Sequence, residues 1–203
     1  MVGYDNYSTG WQRFLESASA NPRSRMIKGY LLNAMAMGYD YAEGLAEAQA
    51  QGYAEANPTD DVEGDDTVAK TLILAAAVFG RALTPEQVVR HGITTLSREQ
   101  MQQADALGKR IKHVASLRLL SMDGTEVSRE TADSGIVPTL LEARVEPLAL
   151  PLSDPLARID GLLNAIVIQT DTPQQVTVIG PGAGRFQAGQ GMLADLIAIA
   201  KSQ

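Results

Sequence analysis

Residues 52–70 carry the densest chemistry in the chain: Gly52-Tyr53-Ala54-Glu55-Ala56-Asn57-Pro58-Thr59-Asp60-Asp61-Val62-Glu63-Gly64-Asp65-Asp66-Thr67-Val68-Ala69-Lys70. Six acidic side chains fall from Glu55 to Asp66, and a single lysine follows them. If the segment is helical, the i,i+4 spacing puts Asp66 and Lys70 on one face. The preceding loop can fold Glu55 and Asp61 over the same helix start. Two chemistries fit this pattern. One is a solvated acidic loop with a helix-stabilising ion pair. The other is a site for an amino-acid-like ligand, with carboxylates for an ammonium group and a lysine for proton transfer. Apolar crowding lowers a lysine's pKa and nearby carboxylates raise it, so a lysine held between the two suits general acid/base work. On that reading Lys70 points into a pocket against Leu72, Ile73 and Leu74.

The element that must position these groups is a helix over 65–79. Asp65 and Asp66 suit the positive end of its dipole, and Gly80 ends it. Its body, Leu72 to Phe79, is apolar nearly all round, which predicts burial. Apolar periodicity predicts further helices over 11–20, 26–35 and 41–51. Thr84-Pro85-Glu86 and Ser97-Arg98-Glu99-Gln100 read as N-caps with acidic first turns, and His91 then ends a helix and caps it. After Lys112 the period shortens. Residues 114–120, 140–148, 161–169 and 175–179 read as strands, Met122-Asp123-Gly124-Thr125 as a hairpin-like turn, and 189–201 as a last helix. Helices, then strands, then one helix predict an α+β fold, a mixed sheet covered by helices. Eight of the ten aromatic residues precede residue 54, so the sheet half must pack with aliphatics.

Composition removes several classes of function. The 203 residues contain no cysteine, which excludes disulfides, thiolate nucleophiles and Cys-ligated metals. Two histidines, His91 and His113, are too few for a multi-His metal site, so no metal is expected. A net charge of -7 disfavours nucleic acid. The basic groups Arg23/Arg25/Lys28 and Lys109/Arg110/Lys112 read as solvated surface, His113 as structural, and the seven methionines as core filler. No apolar run is long enough for a membrane span, and the first residues do not resemble a signal peptide. The expectation is a cytoplasmic protein with no membrane partner.

The 52–70 block closely resembles the signature of homoserine dehydrogenases: Gly52-Tyr53-Ala54-Glu55-Ala56-Asn57-Pro58-Thr59, then Asp61-Val62-Glu63-Gly64, Asp66 and Lys70. Leu45-Ala46-Glu47-Ala48-Gln49 precedes it as in that family. Gly92-Ile93-Thr94, Leu107-Gly108-Lys109-Arg110-Ile111-Lys112, Asp154-Pro155-Leu156-Ala157, Asp160-Gly161, Asn164-Ala165-Ile166 and Gly182-Ala183-Gly184 follow in family order. The resemblance covers residues 26–203 and implies the family's catalytic, substrate-binding domain, leaving 1–25 as an unmatched, helical N-terminal segment. It implies interconversion of aspartate 4-semialdehyde and homoserine with NAD(P)H. Lys70 would exchange a proton with the reacting oxygen and Asp66 would help hold it. Glu55 and Asp61, with Tyr53 and Asn57, would bind the substrate's amino-acid end. Such roles make physical sense, because hydride addition to an aldehyde leaves an alkoxide that needs a proton, and a buried ammonium needs carboxylates.

Three departures stand out. No G-x-G-x-x-G follows a strand near the start, where the family has a nucleotide-binding Rossmann domain. Arg25-Met26-Ile27-Lys28-Gly29 replaces the family's Asn-Gly-Thr-Thr-Asn, and Gln187-Ala188-Gly189 replaces its Pro-Thr-Ala. Asn57 stands where the family usually has Asp. Gly182 and Gly184 are the weak candidates for a cofactor contact. The expectation is that this chain alone binds no cofactor, and that NAD(P) enters only with a Rossmann domain that another polypeptide supplies or that was cut away from this one. The family further implies a homodimer. Two alternatives stay open: a stand-alone non-redox enzyme on an amino-acid-like substrate using the carboxylates and Lys70, and a non-catalytic amino-acid-binding module.

Overall fold

The computed structural model describes residues 23–28, 30–51, 54, 56–161, 163–169, 175–181 and 185–201. Its centre is a six-stranded sheet in the order β2-β4-β3-β1-β5-β6. The strands are β1 (Arg23–Lys28), β2 (Val88–Arg90), β3 (Lys109–Ser121), β4 (Thr139–Pro151), β5 (Leu163–Gln169) and β6 (Gln175–Pro181). Among the described strands β2 and β4 pair in parallel, and the other neighbouring pairs are antiparallel. The helices among the described residues are α1 (Tyr30–Ala36), α2 (Tyr41–Ala50), α3 (Thr59–Val62), α4 (Asp65–Phe79), α5 (Arg98–Ala106), α6 (Arg129–Asp133) and α7 (Arg185–Lys201). The mixed sheet with helices is the α+β arrangement that the pattern of periods predicts.

Side chains alternate across the sheet with the strand period of two. Ala115, Leu117 and Leu119 of β3, with Ala143 and Val145 of β4, pack under Val68, Ala75, Val78 and Phe79 of α4. Val114, Ala165 and Val167 belong to the opposite face, covered by the 3-10 turn Pro155–Arg158 through Leu156 and Ala157. A third cluster, among them Leu32, Met35, Val62, Ile93 and Met101, joins α1, α3 and α5. Aliphatic packing thus dominates the sheet, as the placement of the aromatics requires.

The helix over 65–79 and the strands after Lys112 are where periodicity puts them, although β3 and β4 are longer. Four expectations are corrected. Residues 26–28 are not helical: they end β1, which lies between β3 and β5, and only from Tyr30 does a helix run. Central pairing on both sides overrides a pattern that fits either period. The Thr84 cap opens only a 3-10 turn over Pro85–Gln87, which feeds β2, so His91 follows a strand and caps no helix. Its N–H instead donates to Val145 O at 2.8 Å, extending the parallel pairing. The last helix begins at Arg185, and α6 has no counterpart among the predicted elements. Finally, Lys112 is not solvated: its side chain is 1% exposed. The helix expected over 11–20 lies outside the described residues.

Candidate functional site

The acidic block folds as two short steps into α4. Asn57 Oδ1 accepts from Thr59 Oγ1 at 2.7 Å and from Thr59 N at 3.4 Å, turning the chain into α3. Asp60 and Asp61 occupy the first turn of α3. Glu63 and Gly64 then lead into α4, whose first turn carries Asp65 and Asp66. Gly64 takes φ +90°, and a Cβ there would lie 2.9 Å from His113 Cε1 and 3.2 Å from Val145 Cγ1. A glycine is therefore what lets the start of α4 rest directly on β3 and β4.

One turn into α4, Lys70 Nζ donates to Asp66 Oδ2 at 2.9 Å. The two side chains are 35% and 34% exposed, so the pair sits at the surface of the fold with its apolar stems against the helix. Burial on all sides is not what α4 shows: Thr71, Ala75, Val78 and Phe79 face the sheet, whereas Ile73 is 68% exposed and walls no pocket around Lys70. An ammonium has three N–H donors. Asp66 takes one, which leaves others for an oxygen arriving from solvent.

A second layer fixes this corner. The loop after β2 is clamped to α3 by Ile93 N donating to Val62 O at 2.8 Å and by Thr94 Oγ1 donating to Glu63 Oε1 at 2.9 Å. Gly92 lets the two chains meet, since a Cβ there would come within 2.6 Å of Glu63 Oε2 and 2.8 Å of Val62 O. Arg90 pairs with Asp65 at the first residue of α4. Beneath, His113 Nε2–H donates to His91 O at 3.0 Å. Glu63 also faces Tyr41, whose phenol is pushed up from its ordinary pKa by burial first and by the Glu63 charge second. Sequence reading singled out none of Glu63, Arg90 and Thr94 as a site residue. The adjacent Gly92-Ile93-Thr94 motif, a glycine between polar and apolar neighbours, was the available signal of a close backbone approach.

The structure thus brings Asp66 and Lys70 together and places Asp61 on the helix just before them. Asn57 is used as a turn former. Tyr53, Glu55, Gly182 and Gly184 lie outside the described residues. No group of three His, Cys, Asp or Glu able to hold a metal occurs among the described residues, and no helix there is long and apolar enough to cross a membrane.

These features define an α+β domain that presents a carboxylate–lysine pair at the start of a sheet-packed helix. The chain belongs to the homoserine dehydrogenase family, whose sequence profile, described as Homoserine dehydrogenase, matches residues 28–197. The homoserine dehydrogenase of Mycobacterium tuberculosis (strain ATCC 25618 / H37Rv) is 40% identical over 175 residues, covering 86% of this chain and 37% of that protein. A protein of Pseudomonas canavaninivorans named NAD(+)-dependent homoserine dehydrogenase is 36% identical over 173 residues, 85% of this chain and 45% of its own length. The crystal structure of a homoserine dehydrogenase from Thiobacillus denitrificans superposes with a TM-score of 0.77 at 30% identity, over 93% of this chain and 41% of that one. The chain therefore spans less than half the length of these relatives.

Proposed function

We propose that the chain is the substrate-binding and catalytic part of a homoserine dehydrogenase, acting on the carbonyl of aspartate 4-semialdehyde and the alcohol of homoserine. The observation that carries this reading is the 2.9 Å contact of Lys70 Nζ with Asp66 Oδ2, inside the family match and open to solvent on one side. In it Lys70 gives a proton to the substrate oxygen as the carbonyl becomes an alcohol, and takes it back in reverse. Asp66 holds the lysine in place. Asp61, with Glu55, binds the substrate ammonium.

The described residues do not fit a dinucleotide. A Rossmann site needs a glycine turn between a strand and a helix of a parallel unit. Here β6 runs through Gly180 to Pro181 as an antiparallel partner of β5, and it has no parallel neighbour among the described residues. The hydride source therefore belongs to a nucleotide-binding domain outside these residues, either elsewhere in a longer chain or in a separate polypeptide. Large aliphatics exposed on α7, Met192, Leu193 and Leu196, support such a covering partner. A homodimer through the sheet domain is the second association we propose.

Calorimetric titration with L-homoserine tests the reading. Binding should occur and should weaken by about tenfold or more in Asp61→Asn, which removes a charge-assisted contact. No heat with L-homoserine, while circular dichroism shows a folded chain, would sink it. Light scattering of the same sample at micromolar concentration tests the dimer, against which a strict monomer would count.

A further inference from the structure

Between β2 and α5 the chain runs along the acidic block and holds it at successive points. Arg90 pairs with Asp65, the first residue of α4. Ile93 N donates to Val62 O at 2.8 Å, and Thr94 Oγ1 donates to Glu63 Oε1 at 2.9 Å. The same segment is fastened to the sheet beneath. His91 N donates to Val145 O of β4 at 2.8 Å, and His113 of β3 bonds His91 O at 3.0 Å. Ile93 and Val62 are buried in one cluster with Leu32 and Met101. Residues 90–94 are thus a brace, anchored to the core on one side and to the acidic block on the other.

α3 depends on such a brace far more than α4 does. α4 has 15 residues and buries one face on β3 and β4. Its own length and packing set the Asp66–Lys70 pair. α3 is a single turn of 4 residues, and no side chain caps its start at Pro58. One turn fixes several dihedrals for very few hydrogen bonds, so it cannot hold its own direction. Its start is shaped by the Asn57–Thr59 contacts and its end by the bonds from Ile93 and Thr94. Asp61 lies between those two supports.

We propose that Thr94 is a positioning residue for the substrate ammonium. Its bond to Glu63 fixes the rotation of α3 about its axis, and with it the direction of the Asp61 carboxylate. The Lys70–Asp66 pair, set by α4, is left as it is. The inference rests on the function proposed above, in which Asp61 binds that ammonium, and adds a residue with no substrate contact of its own. A charge-assisted hydrogen bond is directional, so a carboxylate turned out of line loses part of it. The Thr94–Glu63 bond is open to water, which makes its effect severalfold, not a matter of orders of magnitude.

The test is calorimetric titration of the full chain with L-homoserine, repeated on Thr94→Val, Thr94→Ser, Asp61→Asn and the double variant Thr94→Val/Asp61→Asn. Thr94→Val keeps the shape, removes the hydroxyl and should weaken binding about fivefold. Thr94→Ser restores the hydroxyl and should bind within about twofold of the native chain. In the Asp61→Asn background Thr94→Val should add less than about twofold, because the carboxylate it aims has already lost its charge. A merely structural role predicts the same loss in both backgrounds. Thermal melts check that each variant is folded at the titration temperature. If Thr94→Val is not, Glu63→Leu cuts the same bond from the other side and is judged in the same way. Unchanged binding in Thr94→Val, or an equal loss with and without the Asp61 charge, overturns the proposal and leaves the substrate reading standing. A folded native chain that takes up no L-homoserine overturns both.

Discussion

Lys70 and Lys112 show how differently two lysines of one chain are used. Lys70 is a third exposed and held by one carboxylate an i,i+4 step away. Such a pair contributes only about 0.3–0.5 kcal/mol to a helix. Lys70→Met should therefore barely move the melting temperature, yet lower turnover of the complete enzyme by about 100-fold or more, as loss of a general acid/base does. Full activity in that variant would end the catalytic reading. Lys112 is enclosed: its Nζ donates to Asn33 Oδ1 at 2.9 Å, Ile159 O at 2.6 Å and Asp160 Oδ1 at 3.0 Å. Lys112→Met strands buried acceptors and should cost about 2–4 kcal/mol in chemical denaturation. Burial lowers the Lys112 pKa, and the Asp160 contact only partly offsets it. With the folded value below the unfolded one, the unfolded chain holds the extra proton between them, so stability rises with pH across that window. The stability of the native protein relative to Lys112→Met should thus grow as pH climbs toward the ordinary lysine range near ~10.4. A flat or falling difference would show that the oxygen cage outweighs desolvation. Lys70 was legible from its acidic neighbours, whereas the enclosure of Lys112 depends on Asn33 and Asp160, which are remote in sequence.

At the scale of elements, the legible parts are those whose ends carry their own chemistry. Two aspartates and Gly80 bound α4, and Ser97 with Gln100 forms a full capping box on α5. Those boundaries can be read without knowing the partners. By contrast, Met26, Ile27, Tyr30 and Leu31 satisfy a helical stripe as well as the end of a strand, and only the pairing with β3 and β5 decides. The three residues of β2 are too few to show any period. The candidate site divides the same way: the Asp66–Lys70 contact was legible as a spacing, while the clamp from Gly92 and Thr94 onto α3 was not, because it joins separate elements. Gly92→Ala probes that clamp. Its methyl would press into the Val62 carbonyl and Glu63, and backbone cannot swing aside as a side chain can. The expected loss is about 1–3 kcal/mol by thermal or denaturant unfolding, as for overpacking elsewhere. A melting curve superposing on that of the native protein would show that the two segments part freely.

At the scale of the molecule, alternating charges line one sheet face. Arg118 Nη2 pairs with Glu142 at 2.6 Å and Arg144 Nε with Glu146 at 2.7 Å, on neighbouring positions of β3 and β4. These pairs make the Glu146 carboxyl more acidic than usual, chiefly through the Arg144 hydrogen bond. A partner on this face would have to satisfy charges as well as cover carbon. Because β6 pairs antiparallel with β5 and offers no strand of a parallel unit among the described residues, NADPH should bind these 203 residues very weakly. Calorimetry giving a low-micromolar dissociation constant would show that residues 182–184 build a phosphate site after all.

The position of β1 also has a consequence for how the chain reaches this state. It comes first among the described strands in chain order, yet it fills the middle of the sheet: Met26 lies opposite Ala115 on one side and Ile166 on the other. During synthesis its backbone groups wait for about 90 further residues before one neighbour exists and about 140 before both do. At ribosomal speeds that is on the order of ten seconds, a long time for an unpaired strand. Pairings so distant along the chain also slow the search itself, since each must close a large loop before it gains anything. The nascent domain should accordingly depend on chaperones until β5 emerges, and refolding from denaturant should be slow and prone to aggregation at high concentration.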